Sequence, residues 1–127
     1  MSTGKLIISG RLPPSTNHLY YSDRKTGTRH LTNKAAAYKE ELMWKLKRGG
    51  AKELCPPRPF AVHYHFRFPD RRKRDLSNQI KLIEDAVFEA LGHDDRHVND
   101  IHLWKYISKS DPGFTMEVRH SSRGIEV

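Results

Sequence analysis

Phe60-Ala-Val-His-Tyr-His-Phe-Arg-Phe68 sets aromatic and aliphatic residues at 60, 62, 64, 66 and 68 against Ala61, His63, His65 and Arg67 between them. Strand side chains point alternately to two faces, so this period of two describes a half-buried strand. Downstream the period changes: Leu76, Ile80, Ile83, Val87, Ala90 and Leu91 recur at helical spacing, and Gly92 follows where a left-handed residue ends a helix. A strand and an amphipathic helix in close succession place a helical layer on a sheet.

Further along, Ile101 to Ile107 and Phe114 to His120 read as two strands joined through Ser110-Asp-Pro-Gly113, a turn sequence. Upstream, Pro56-Pro57 isolates the central strand from an earlier helix, which Thr32 can cap. That helix carries Ala35, Tyr38, Leu42 and Leu46 as its apolar stripe, and Gly49-Gly50 stops it. Lys34, Lys45 and Arg48 fall on its outer face, a solvated face more often than a phosphate-binding one. Before it, His18 to Tyr21 and Thr28 to Leu31 flank the turn-rich Ser22–Gly27, which suits a hairpin or an ordered loop. Lys5 to Ser9 is a short β-prone run. The fold class is α+β, a small mixed sheet covered by two main helices.

With 127 residues the chain has the length of one ordinary domain, spanning 1–127. Its 23 Lys and Arg against 15 Asp and Glu leave a net charge of +8, which points to a polyanionic partner, nucleic acid first. No stretch approaches the roughly 20 apolar residues of a membrane span, and no signal core follows Met1, so a cytoplasmic protein without a membrane partner is expected. Cys55 is the only cysteine, which excludes an internal disulfide and leaves packing as its ordinary use. The charge is uneven. Residues 1–66 hold 12 basic and 4 acidic side chains, whereas residues 67–127 hold 11 of each. Eight of the 15 acids lie between Asp70 and Asp100, close behind the run Arg71, Arg72, Lys73 and Arg74.

That segment carries the chemistry. Phe68-Pro-Asp-Arg-Arg-Lys-Arg-Asp-Leu-Ser-Asn78 leaves a strand, passes four cations and enters a helix with Asp75, Ser77 and Asn78 at its mouth. Ser77 and Asn78 suit ordinary capping. Capping does not call for Asp75, Lys81 and the pair Asp94-Asp95. Phosphodiester hydrolysis near neutral pH uses a hard cation held by carboxylate oxygens, and Asp75, Asp94 and Asp95 are suitable donors. Lys81 lies one turn inside the helix, where an ammonium can hold a phosphate or stabilise its pentavalent state.

FPDRRKRDLSNQIK, a helix containing Asp85-Ala86, and then GHDDRHV resemble the signature of RusA-type Holliday junction resolvases. In that family a P-D, a basic run, D-L-D-N, a helical lysine and a later D-D occur in this order. LPPSTNHLYY and HLTNKAAAYKEEL are similar to its earlier segments, so the resemblance covers most of residues 8–107. It implies a RusA-like fold and an endodeoxyribonuclease of recombination and repair that resolves four-way junctions by paired nicks. It also implies a homodimer acting on branched DNA with Mg2+, Mn2+ being a possible substitute. The acidic metal positions fall on Asp75, Ser77 and Asp95, with Asp94 as a helper, and the essential lysine falls on Lys81. Arg71, Arg72, Lys73 and Arg74 would grip phosphates near the site, and Arg24, Lys25 and Arg29 would add a second contact.

One position departs from the pattern. Ser77 stands where the family has the second Asp of D-L-D-N, and a neutral hydroxyl is a poorer ligand for a hard dication. The alternative is therefore a non-catalytic protein that binds junctions or other branched DNA with a degenerate metal site. Glu84 lies seven positions beyond Ser77, about 10 Å along a helix, which makes Asp94 the better substitute. A helix from Asn78 to Ala90 spans about 20 Å. Asp75 and Asp95 then meet only if the chain turns back past Gly92, or if a two-fold dimer sets Asp95 of one chain beside Asp75 of the other. His93, His97 and His102 surround Asp94-Asp95 and could take zinc or manganese, although loop histidines more often face solvent or DNA. Trp44 and Trp104 read as core residues rather than base-stacking platforms.

Overall fold

The structure, a computed structural model, describes residues 5–14, 20–74 and 76–122, with Tyr20 described in its backbone alone. Its strands are β1 (Lys5–Gly10), β2 (Tyr20–Ser22), β3 (Arg29–Leu31), β4 (Phe60–Phe68), β5 (Val98–Ile107) and β6 (Gly113–His120). The helices are α1 (Asn33–Arg48), the short α2 (Ala51–Leu54) and α3 (Leu76–Leu91).

A four-stranded mixed sheet has the order β1-β6-β4-β5. β6 runs antiparallel to both β1 and β4, and β5 runs parallel to β4. Parallel neighbours need a crossover, which α3 supplies between β4 and β5. The turn after β5 therefore makes no hairpin; it carries the chain past β4 to pair on its far side. β2 and β3 form a separate hairpin closed by Asp23 and Thr28, with Gly27 at φ +70°.

The alternation in β4 sorts its residues as the pattern requires. Phe60, Val62, Tyr64, Phe66 and Phe68 are buried under the helices, while His63, His65 and Arg67 face the open side with Thr115, Glu117 and Arg119 of β6. Phe114, Met116 and Val118 of β6 and Leu6 and Ile8 of β1 complete the sheet's share of the core. α1 contributes Ala35, Tyr38, Leu42 and Leu46, and Thr32 caps it by accepting from the Ala35 N–H at 3.3 Å. Gly49-Gly50 ends α1, but the chain resumes helix for one turn as α2, a change of direction made by Gly50 at φ +69°. Within α3, Leu82, Ala86 and Phe88 are buried beside Ile83, Val87, Ala90 and Leu91, so its covered face is wider than the sequence stripe.

Two expectations about tryptophan are corrected. Trp44 is exposed on α1 with Lys47 over its ring, because the α1 stripe at 35, 38, 42 and 46 leaves position 44 outside it. Trp104 is exposed on β5, an edge strand covered by neither helix. Lys45 is not merely part of a solvated face: its ammonium donates to the Ser9 carbonyl at 2.8 Å and ties α1 to β1.

Candidate functional site

The C-terminus of α3 decides how the acidic residues meet. Gly92 takes φ +76°, its N–H donates to the Glu89 carbonyl at 3.3 Å, and the His93 N–H donates to the Phe88 carbonyl at 3.0 Å. This pair of bonds is a Schellman motif, which stops the helix and turns the chain back along it. Asp94 then caps a 3-10 turn, Asp95–His97, by accepting from the Arg96 N–H at 2.9 Å. Asp94 and Asp95 consequently line one pocket of about 490 Å³ with Glu84, Asp85 and Glu89 of α3, and with Lys39 of α1 and His93.

Charge is concentrated there. Burial, then the hydrogen bond and negative charge of Asp94, raise the Asp95 carboxyl above its ordinary value, with Asp85 adding to the rise and Lys81 opposing it. The Arg96 N–H holds the Asp94 carboxyl below its ordinary range. Glu84 is raised chiefly by burial; Asp95 and Asp85 add to that, while the Tyr64 hydrogen bond and Lys81 oppose it. The Lys81 ammonium lies 4.0 Å from Asp85 and is largely exposed. Five of the lining residues, Glu84, Asp85, Glu89, Asp94 and Asp95, offer carboxylate oxygens, a chemistry that suits a hard dication. Among the described residues, however, no group of three His, Cys, Asp or Glu side chains is placed to hold a metal ion.

Asp75 lies outside the described residues. Ser77 is exposed in the first turn of α3. The chain does turn back past Gly92, so Asp95 and the middle of α3, from Lys81 to Asp85, feel each other's charge. The histidines separate: His97 is buried with Arg58 donating to its Nε2 at 3.1 Å, His93 meets the Phe60 ring edge-on, and His102 bonds Asp100 at 2.9 Å.

The basic run shapes a second, separate cleft. Arg74 folds back, donating to Asp70 Oδ1 at 2.8 Å and to the Asp70 and Arg72 carbonyls, and its guanidinium covers the Phe68 ring at 4.5 Å. The Arg72 N–H and this guanidinium together hold the Asp70 carboxyl below its ordinary range. Arg71, Arg72 and Lys73 are exposed on the resulting loop, and a cleft of about 620 Å³ runs between the loop, Leu76 and the β5 residues Lys105, Tyr106 and Ile107. Arg24, Lys25 and Arg29 are exposed on the β2–β3 hairpin.

Sequence reasoning missed the pairing of Glu84 with Tyr64. The signal was present: the alternation of β4 points Tyr64 inward, and a buried phenol needs an acceptor, which a carboxylate on the facing helix can supply.

The family model described as Endodeoxyribonuclease RusA matches residues 11–119. The chain is 31% identical over 94 residues to a crossover junction endodeoxyribonuclease of Enterobacteria phage 82, covering 73% of this chain and 76% of that protein. It is 30% identical, with the same coverage, to the crossover junction endodeoxyribonucleases RusA of Shigella sonnei and of Escherichia coli K12. With a family match over residues 11–119, the chain belongs to the RusA endodeoxyribonuclease family.

Proposed function

We propose that this protein is a structure-selective endodeoxyribonuclease of DNA recombination and repair, which resolves four-way junctions by paired nicks as a homodimer. The observation that carries the reading is the convergence of Asp94, Asp95 and the α3 carboxylates, beside Lys81, in a chain that matches the RusA family. In this reading Asp95 and Asp75 would hold a magnesium ion, for which manganese could substitute, with Asp94 and Ser77 assisting. Such an ion would supply an activated water and charge neutralisation at the phosphate. Lys81 offsets negative charge as it builds on the phosphoryl oxygens, and its exposure leaves it open to a phosphate. Arg71, Arg72 and Lys73 hold the flanking backbone, with Arg74 keeping their loop in shape, and Arg24, Lys25 and Arg29 provide a second contact. No described helix is long and apolar enough to cross a membrane, and we assign the protein to the cytoplasm with its DNA.

Ser77 favours one rival, a protein that binds branched DNA without cutting it. Cleavage of a labelled four-way junction and a linear duplex in magnesium, by the natural protein, Asp75→Asn and Ser77→Asp, separates the two. Paired nicks in the junction alone, abolished by Asp75→Asn, are expected. Cleavage by Ser77→Asp only would assign the natural protein to the rival class.

A further inference from the structure

The open face of the sheet carries a row of stacked rings to which the nuclease reading gives no role. Register pairs His102 with His63, Trp104 with His65 and Tyr106 with Arg67, so the three β5 rings share the face that points away from the helices. His102 stacks on His63 at 4.7 Å and Trp104 on His65 at 4.8 Å, while Tyr106 lies 6.1 Å from His65 with the two planes 3° apart. Trp104 and Tyr106 are nevertheless 41 and 47% exposed, and among the described residues no strand pairs beyond β5 to cover them. A ring already pinned against a neighbour loses little freedom when a second flat group settles on it.

Tyr106 also lines the basic cleft, together with Arg71, Arg72, Lys73 and Lys105. Among the described residues that line it, the only carboxylate is Asp70, which is already bonded to Arg74. Cations suit phosphates and rings suit flat groups. A single strand of nucleic acid satisfies both, since its charge follows the backbone and every base has a face to stack. Spacing argues against continuous duplex. Residues two apart on a strand stand about 7 Å from each other, roughly twice the 3.4 Å step between stacked bases of one DNA strand. A base on Trp104 and the next on Tyr106 are therefore parted from each other, which an unpaired strand allows and a regular duplex does not.

We propose that Trp104 and Tyr106 form a stacking site for unpaired DNA bases, and that the strand bearing them continues into the basic cleft with its phosphates on Arg71, Arg72, Lys73 and Lys105. The proposal rests on the DNA-directed reading above and names the part of a branched substrate that this face takes, the bases freed where strands part. His65 is a positioning residue here, holding both rings upright from the neighbouring strand. Stacking tolerates any base, so the site separates unpaired from paired strands and not one sequence from another.

The test reads Trp104 itself. Trp44 and Trp104 are the two tryptophans of the chain, so Trp44→Phe, a change at an exposed position, leaves Trp104 as the sole indole. In that full-length background, without metal, a thymidine oligonucleotide of about eight residues should quench the indole emission saturably, and an abasic strand of the same length should not. Trp104→Ala and Tyr106→Ala should each weaken binding of the oligonucleotide about tenfold, the scale of one lost base stack, and change binding of a linear duplex by less than about twofold. Trp104→Tyr, which keeps a ring, should bind the oligonucleotide nearly as the natural protein does. Emission that ignores the oligonucleotide, or answers the abasic strand equally, overturns the proposal. So does emission that changes with protein concentration alone, which would put a second copy on the rings. Junction cleavage by a protein whose Trp104 never responds leaves the nuclease reading and removes this site, and a responding Trp104 in a protein that never cuts does the reverse.

Discussion

The Tyr64 hydroxyl donates to Glu84 Oε1 at 2.7 Å, joining the middle of the central strand to the middle of α3. Tyr64 is fully buried, so its phenol has no water to fall back on, and Glu84 borders the acidic pocket beside Asp95. Tyr64→Phe should cost about 1–3 kcal/mol, because it leaves a partly buried carboxylate short of a donor. Urea unfolding at pH 7 reads this directly, and an unchanged midpoint would show that the bond contributes nothing.

The same carboxylate gives the stability a defined pH dependence. Burial raises Glu84 above its ordinary value of 4.5, so the folded state holds its proton more tightly than the unfolded chain does. The associated stability is present below that ordinary value and is lost as pH rises through the raised one. Glu84→Gln, which stays neutral, should therefore be more stable than the natural protein at pH 7. The gap should close towards pH 4, where both side chains are uncharged. Paired melting curves between pH 4 and 7 check the sign.

Asp95→Asn and Lys81→Ala are expected to lower junction cleavage by at least about 100-fold each, the scale of removing a group that stabilises transition-state charge. Binding of the junction in a gel-shift assay with calcium in place of magnesium should change by only a few-fold. A fall in binding equal to the fall in cleavage would move both residues out of the chemical step.

Cations of the basic loop should divide into two kinds. Arg71→Ala with Arg72→Ala removes two exposed charges and should flatten the log–log salt dependence of binding by about 2, with little change in melting temperature. Arg74→Ala should instead loosen the loop, since its guanidinium bonds Asp70 and two carbonyls. Arg74→Lys should not restore it, because one ammonium cannot reproduce that fork.

Much of the fold was legible because its signals were local. The alternation from Phe60 to Phe68, the Thr32 cap and the Gly92 stop each depend on a few neighbouring residues, and each is found as read. Strand order was not legible, since the placement of β6 between β1 and β4 depends on pairs such as Phe60 with His120 and Leu6 with Val118, far apart in the chain. Trp104 is exposed because it faces the open side of the sheet beside His65, on an edge strand, and residue type alone does not tell that face from the core. Within the acidic pocket, the Asp94-Asp95 pair was visible in the sequence as two adjacent acids. The return of the chain onto α3, and Glu84 with it, needed the geometry of the Schellman turn.

β1 and β6 join residues 5–10 to residues 114–119, nearly the whole length of the chain. Closing so long a loop is slow relative to forming β4, α3 and β5, which follow one another directly. The crossover unit can assemble first, leaving one side of β4 unpaired until β6 is available. During synthesis the sheet is then finished only after the last strand has left the ribosome, and until that moment Phe60, Tyr64 and Phe66 belong to a half-built surface open to misassociation.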